Sequence, residues 1–116
     1  MTVRDRRIFS VTCRGNGEFS TARFKMPAAG LALNANALYQ PVEGDSGRAY
    51  IMAELRDEQG MSFPGYERSK CLITNQAGLA LPLIWDEATG SELAGRVVFV
   101  RFYVRDAKLS SLQARQ

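Results

Sequence analysis

The sequence predicts an all-β protein, an antiparallel β-sandwich of the jelly-roll type with about eight strands and at most one short helical turn. Apolar residues occupy every second position of residues 97–105, the pattern of a strand that buries one face. Short strand candidates recur along the chain, separated by turn-forming Gly, Asn and Asp residues. A length of 116 residues with 46% hydrophobic and 23% charged residues suits one domain, 1–116, with one core.

The strand candidates follow one another in chain order with recognisable turns between them. They are residues 7–13, 19–26, 31–35, 50–57, a short strand near Cys71, 79–85, 97–105 and 109–113. Turns are predicted at 14–17, 57–60, 94–95 and 106–108, an exposed loop at 44–47 after Pro41, and a single helical turn at 91–93. Residues 1–6 are interpreted as a flexible basic N-terminal arm.

The strand at 97–105 is predicted to have one buried and one outward face. Its inward residues are Val98, Val100, Phe102 and Val104, and its outward residues are Phe99, Arg101, Tyr103 and Arg105. If the 50–57 strand is its neighbour, outward residues Tyr50, Met52, Glu54 and Arg56 join the same surface. The candidate binding face therefore comprises Tyr50, Glu54, Arg56, Phe99, Arg101, Tyr103 and Arg105.

Three interpretations of this face remain open at the level of sequence. Aromatic rings with Arg and Glu side chains are what a carbohydrate-binding platform needs. The same residue types are enriched in oligomer and partner interfaces. The third interpretation is a solvated sheet surface, stabilised by cross-strand Arg–Glu and Tyr–Arg pairs.

Charge and hydropathy argue against nucleic-acid and membrane partners. Most of the net charge of +3 comes from Arg4, Arg6 and Arg7 against Asp5, and the remaining charges are interspersed without a basic stripe. The apolar stretch after this basic start is too short for a signal peptide, and the longest apolar run, 77–85, is too short to span a bilayer. We therefore expect a cytoplasmic protein.

Catalytic and metal-binding arrangements are hard to build from these residues. The chain has no histidine, which excludes Ser-His-Asp and Cys-His catalysis, and it lacks a Cys-x-x-Cys zinc motif. The adjacent acidic pairs at 57–58 and 86–87 lie in turn-like segments, where solvated carboxylates are expected. No phosphate-binding glycine loop follows a strand. We expect no enzymatic activity, no cofactor and no metal.

Two cysteines and the tryptophan, which are usually buried residue types, are predicted to have a structural role. Cys13 and Cys71 are interpreted as two unpaired, inert thiols, although a disulfide between sheets stays open. Trp85 ends an apolar alternation at positions 79, 81, 83 and 85, which predicts that it lies in the core.

Several motifs occur in an order that resembles a known domain. Residues 93–109 read LAGRVVFVRFYVRDAKL, and Pro64-Gly65-Tyr66 is followed by Cys71 and Trp85 at fixed spacings. Residues 17–23 and 33–37 add two further strand motifs. From about Arg7 to Leu112, the chain resembles the C-terminal β-sandwich accessory domain that follows the propeller in bacterial glycosidase-like proteins, related to sialidases and invertases.

The resemblance implies a sandwich fold without chemistry of its own. Two positions depart from the pattern: residues 71–78 replace an acidic loop, and Ser110 replaces an aromatic residue. A chain of 116 residues has no room for a propeller. We therefore expect a stand-alone, non-catalytic module for interaction or assembly, with a second copy or another protein as partner, and carbohydrate binding as the alternative.

Overall fold

The structure is a computed structural model that describes residues 7–38, 49–74 and 76–115, with the backbone alone for residues 7–16. The predicted arm at 1–6 and the predicted loop at 44–47 lie outside the described residues. No described segment is a helix with the length and hydropathy that crossing a bilayer requires.

Seven strands in the described part of the chain form one antiparallel sheet, which confirms the all-β, antiparallel class. They are β1 Arg7–Ser20, β2 Phe24–Lys25, β3 Leu31–Asn36, β4 Tyr50–Asp57, β5 Leu72–Thr74, β6 Ala77–Pro82 and β7 Val97–Ala114. The path across the sheet is β5-β4-β7-β3-β6, and β1 and β2 pair with β7 as well. A 3₁₀ turn at Ser91–Leu93 confirms the predicted helical turn, whereas a second at Arg68–Lys70 shows that the prediction of at most one such turn is wrong.

Strand β7 organises the sheet because it is long enough to serve two sets of neighbours. It spans 18 residues, and residues 98–105 pair with β4 whereas residues 108–114 pair with β3. Its opposite edge pairs first with β2 and then with β1. The two halves of the sheet are thus joined through one continuous strand.

The prediction of a turn at 106–108 is wrong, because β7 passes through these residues with a β-bulge. Asp106 has a φ of 49°, in the left-handed region that Asp tolerates better than most residues. One residue of β1, Asn16, lies between the paired positions Gly15 and Gly17, whereas two residues of β7, Arg105 and Asp106, lie between their partners. The buried positions consequently change from even numbers, ending at Val104, to odd numbers, starting at Ala107. The bulge therefore lets both halves of β7 face the core.

Other strand limits also differ from the prediction. The expected turn at 14–17 is wrong, since β1 continues through it to Ser20. The predicted strand at 109–113 is the end of β7, which is why seven strands replace eight, and the one predicted at 19–26 is divided between the end of β1 and β2. The strand expected at 79–85 starts and ends earlier, as β6. Strand β4 has the predicted limits, and the turn after it is confirmed by a 2.9 Å hydrogen bond from the Gly60 amide to the Asp57 carbonyl oxygen.

The core contains the inward residues of β3, β4 and β7. Val98, Val100 and Phe102 are all 0% exposed, as the alternation predicted. Trp85 is 1% exposed and donates its Nε1–H to the Ala53 carbonyl oxygen at 2.8 Å, which confirms its core position. The hydrogen bond satisfies the polar end of the indole, so the large ring is buried without an unpaired donor.

Two titratable groups lie in the same core. Cys71 is a buried, free thiol, and burial raises its pKa to about 12. The side chain of Cys13 lies outside the described residues. Tyr66 packs edge-to-face on Trp85 and donates its hydroxyl to the Glu92 carboxylate at 2.5 Å. Burial, reinforced by that carboxylate, raises the pKa of Tyr66 to about 12.

Candidate binding face

The register of β4 and β7 brings the predicted face together. In the antiparallel pair, Tyr50 lies opposite Arg105 and Met52 opposite Tyr103; further along, Glu54 is opposite Arg101 and Arg56 opposite Phe99. All seven predicted residues thus occupy neighbouring positions on the two strands. Met52 lies on the same face, between Tyr50 and Glu54. We call this set the arginine–aromatic face: Tyr50, Met52, Glu54, Arg56, Phe99, Arg101, Tyr103 and Arg105.

Two of the three arginines of this face already form ion pairs with carboxylates. The Arg56 Nε lies 2.6 Å from the Glu54 Oε1, and this bond raises the pKa of the Arg56 guanidinium. Glu54 is only 8% exposed, so its carboxylate is committed to Arg56. The Arg101 Nη2 lies 3.0 Å from the Glu18 Oε2 on β1. These contacts fix the positions of Arg56 and Arg101 and reduce the charge that they offer to a ligand.

Guanidinium groups also cover the aromatic rings. The Arg68 Cζ lies 4.3 Å from the centre of the Tyr103 ring, and the Arg101 Cζ lies 5.6 Å from it. The Arg23 Cζ lies 5.6 Å from the centre of the Phe99 ring. A sugar ring that stacked on these faces would have to displace a favourable cation–π contact. The Tyr103 and Phe99 rings are therefore not bare stacking platforms.

One end of the face opens into a groove with a volume of about 480 Å³. Its walls include Glu18, Tyr50, Met52, Arg68, Tyr103 and Arg105. This volume is within the usual range for sites that bind small molecules or single side chains of a partner. Arg68 and Arg105 have no ion-pair partner among the described residues, in contrast to Arg56 and Arg101.

The sequence did not indicate that Arg68 and Glu18 belong to this site. Arg68 lies on the 3₁₀ turn before β5, and Glu18 lies on β1 between the predicted turn at 14–17 and the predicted strand at 19–26. Both reach the face through long-range pairing, Arg68 because β5 pairs with β4 and Glu18 because it lies opposite Tyr103 on β7. No local pattern signals such contacts.

The acidic pairs considered as catalytic candidates have local structural roles. The Asp57 carboxylate accepts hydrogen bonds from the amides of Gln59 and Met61, at 2.9 and 3.0 Å, and so holds the turn after β4. Asp86 forms a 3.2 Å ion pair with Lys70 at the surface. Among the described residues, no three His, Cys, Asp or Glu side chains are grouped closely enough to hold a metal ion.

No protein-family model, curated protein or solved structure matches the chain. The resemblance to the accessory domain of glycosidase-like proteins therefore stays a prediction from the motifs.

Proposed function

We propose that the protein is a non-catalytic interaction module, built as a two-layer β-sandwich, which binds another protein through the arginine–aromatic face. The observation that carries the proposal is the contrast between the two faces of β4 and β7. One face is sealed in the core, and the other presents Arg, Tyr, Phe and Met side chains in register. These residue types are enriched in the centres of protein interfaces.

The sandwich part of the proposal is supported by the path of β7. The strand changes its neighbour from β4 to β3 at the Asp106 bulge, and the inward residues on both sides of the bulge belong to one hydrophobic cluster. A bulge is a usual means of carrying a strand from one sheet layer to the next.

Charge favours an acidic partner over a second copy bound face to face. Four guanidinium groups, those of Arg56, Arg68, Arg101 and Arg105, lie on or beside the face, against the carboxylates of Glu18 and Glu54. A two-fold dimer through this surface would place equal positive patches against each other. A partner with an acidic surface would instead gain from electrostatic complementarity.

Carbohydrate binding is the second candidate. Tyr50 and Ser69 both line the groove, and it is large enough for a single sugar residue. The guanidinium groups over Tyr103 and Phe99 make stacking there less favourable. We therefore rank it below a protein partner.

A selection experiment tests the proposal. A phage library of random peptides is selected on the wild-type protein and screened against the Arg101→Glu/Tyr103→Ala double variant. We expect enriched peptides to be rich in Asp and Glu, and to lose at least about 2 kcal/mol of binding free energy on the double variant. The matched control is Lys108→Glu/Leu79→Ala, which makes the same kinds of change at exposed positions outside the face.

Peptides that bind the wild type and the double variant equally would refute the proposal. Circular dichroism checks that every variant is folded, and light scattering shows whether its mass changes. A parallel glycan array distinguishes the alternative, because a glycan that binds the wild type but not the double variant would favour carbohydrate binding.

A further inference from the structure

We propose that the groove binds a carboxylate attached to an apolar or aromatic body, presented by the acidic partner. The inference rests on the proposed function and specifies the chemistry of its ligand. It concerns the end of the arginine–aromatic face where Arg68 and Arg105 line the groove with Tyr50 and Met52.

The first argument is the distribution of unpaired charge. Arg56 and Arg101 are neutralised by Glu54 and Glu18, at 2.6 and 3.0 Å. Arg105 is exposed and, within the described residues, neither Arg105 nor Arg68 has an ion-pair partner. The free positive charge of the face is thus concentrated at the groove. Guanidinium groups bind carboxylates through paired, charge-assisted hydrogen bonds.

The second argument is that Arg68 is held in place before a ligand arrives. Its guanidinium is stacked on the Tyr103 ring, and its carbonyl oxygen accepts the Cys71 amide at 3.2 Å. Cys71 is anchored in the core, at 2% exposure. The neighbouring Lys70 carbonyl oxygen accepts the Asp86 amide at 2.9 Å, which ties the same turn to a second segment. A guanidinium fixed in this way loses little conformational freedom when it binds an anion.

The third argument concerns the rest of the ligand. Tyr50 and Met52 supply half-buried, largely apolar walls to the groove. They suit an apolar or aromatic group that is attached to the carboxylate. Glu18 also borders the groove, and its negative charge disfavours a dianionic phosphate more than a singly charged carboxylate. A carboxylate on an apolar body therefore suits both the arginines and the apolar walls of the groove.

The test uses the full chain and two small probes of nearly equal size, one charged and one neutral. Backbone ¹H–¹⁵N shifts are recorded during titration with phenylacetate and with its neutral counterpart phenylacetamide. We expect phenylacetate to bind with a dissociation constant on the order of 1 mM and to shift the amides around Tyr50, Ser69 and Arg105. Phenylacetamide should bind about tenfold more weakly, or not at all.

Variants assign the binding to the two arginines. Arg105→Gln and Arg68→Gln should each weaken phenylacetate binding about fivefold or more, whereas Lys108→Gln, which removes one exposed charge elsewhere, should leave it unchanged. Arg105 forms no ion pair or cation–π contact with the described residues, so Arg105→Gln remains informative even if Arg68→Gln disturbs Tyr103.

Several results would overturn the inference. They are equal affinity for the two probes, equal losses in Arg105→Gln and Lys108→Gln, or tighter binding of phenyl phosphate than of phenylacetate. If selected peptides depend on the face while phenylacetate does not bind, the groove inference fails and the proposed function stands. If phenylacetate binds as expected but no peptide does, the ligand is a free small carboxylate and the protein-partner proposal fails.

Discussion

Adjacent residues Phe102 and Tyr103 offer a direct test of the two-faced arrangement of β7. Phe102 is 0% exposed, and its ring lies 5.4 Å from the Phe19 ring, between centres. Its backbone is paired on both sides, with Ala53 of β4 and with Phe19 of β1. The surroundings have little freedom to close over a deleted ring, so Phe102→Ala should lower the free energy of unfolding by about 3–5 kcal/mol.

Tyr103→Ala should cost much less, because the side chain points to the opposite, partly exposed face. What is lost there is mainly the contact with the guanidinium of Arg68, and that of Arg101 further away. Cation–π contacts at exposed sites are worth about 0.5–1 kcal/mol each, so we expect a loss of about 1–2 kcal/mol. The losses from the two adjacent substitutions should thus differ by about 1–4 kcal/mol.

Urea unfolding followed by tryptophan fluorescence measures both values, since Trp85 is in the core. Leu79→Ala is a suitable control: Leu79 is 77% exposed, and the change should stay within about 0.5 kcal/mol. Equal losses for Phe102 and Tyr103 would refute the reasoning, because they would mean that both faces of β7 are covered in the free protein.

Three further predictions concern the bulge, a turn and two buried titratable groups. Asp106→Val places a β-branched residue at a φ of 49° and should cost about 1–3 kcal/mol in urea unfolding, whereas Asp106→Gly should cost less. Gly90→Ala should cost about 1–3 kcal/mol by the same assay, because φ is +86° and the new Cβ would lie 2.3 Å from the Met26 Cε. Burial raises the pKa of Tyr66 from 10.0, and that of Cys71 from 9.0, to about 12. The folded state therefore holds these protons more tightly than the unfolded state, so their contribution is complete below pH 9 and is lost as the pH rises towards 12. Urea midpoints across this range should fall less in Tyr66→Phe and Cys71→Ala than in the wild type.

Period-two alternation was sufficient to predict the faces of β4 and β7. The same pattern indicated which residues would meet if the two strands were neighbours, and the observed pairing of Met52 with Tyr103 meets that condition. Apolar alternation also placed Trp85 correctly, although the strand itself ends at Pro82. Local patterns are reliable here because burial of one strand face depends on side-chain spacing, whichever strands are the neighbours.

The ends of the strands and the residues at the edge of the binding face depend on contacts with residues far away in sequence. Local sequence patterns therefore could not predict them. Asp in a left-handed conformation occurs both in turns and in bulges. At Asp106 the choice depends on pairing with β1 and β3, which are far away in sequence. The Gly-rich stretch at 14–17 has the composition of a turn but pairs with β7 instead. The contact of Arg68 with the Tyr103 ring likewise depends on residues that are far apart in sequence.

The bulge also explains why the groove lies where it does. Pairing of β7 with β4 ends at Arg105, opposite Tyr50, and pairing with β3 resumes only at Lys108. In regular alternation one of two successive residues would face inward, yet Arg105 and Asp106 are both exposed. The irregularity that keeps Val104 and Ala107 in one core thus leaves Arg105 exposed beside a gap in the strand pairing. We infer that the groove is a consequence of the bulge, since bulges commonly re-aim side chains next to binding sites.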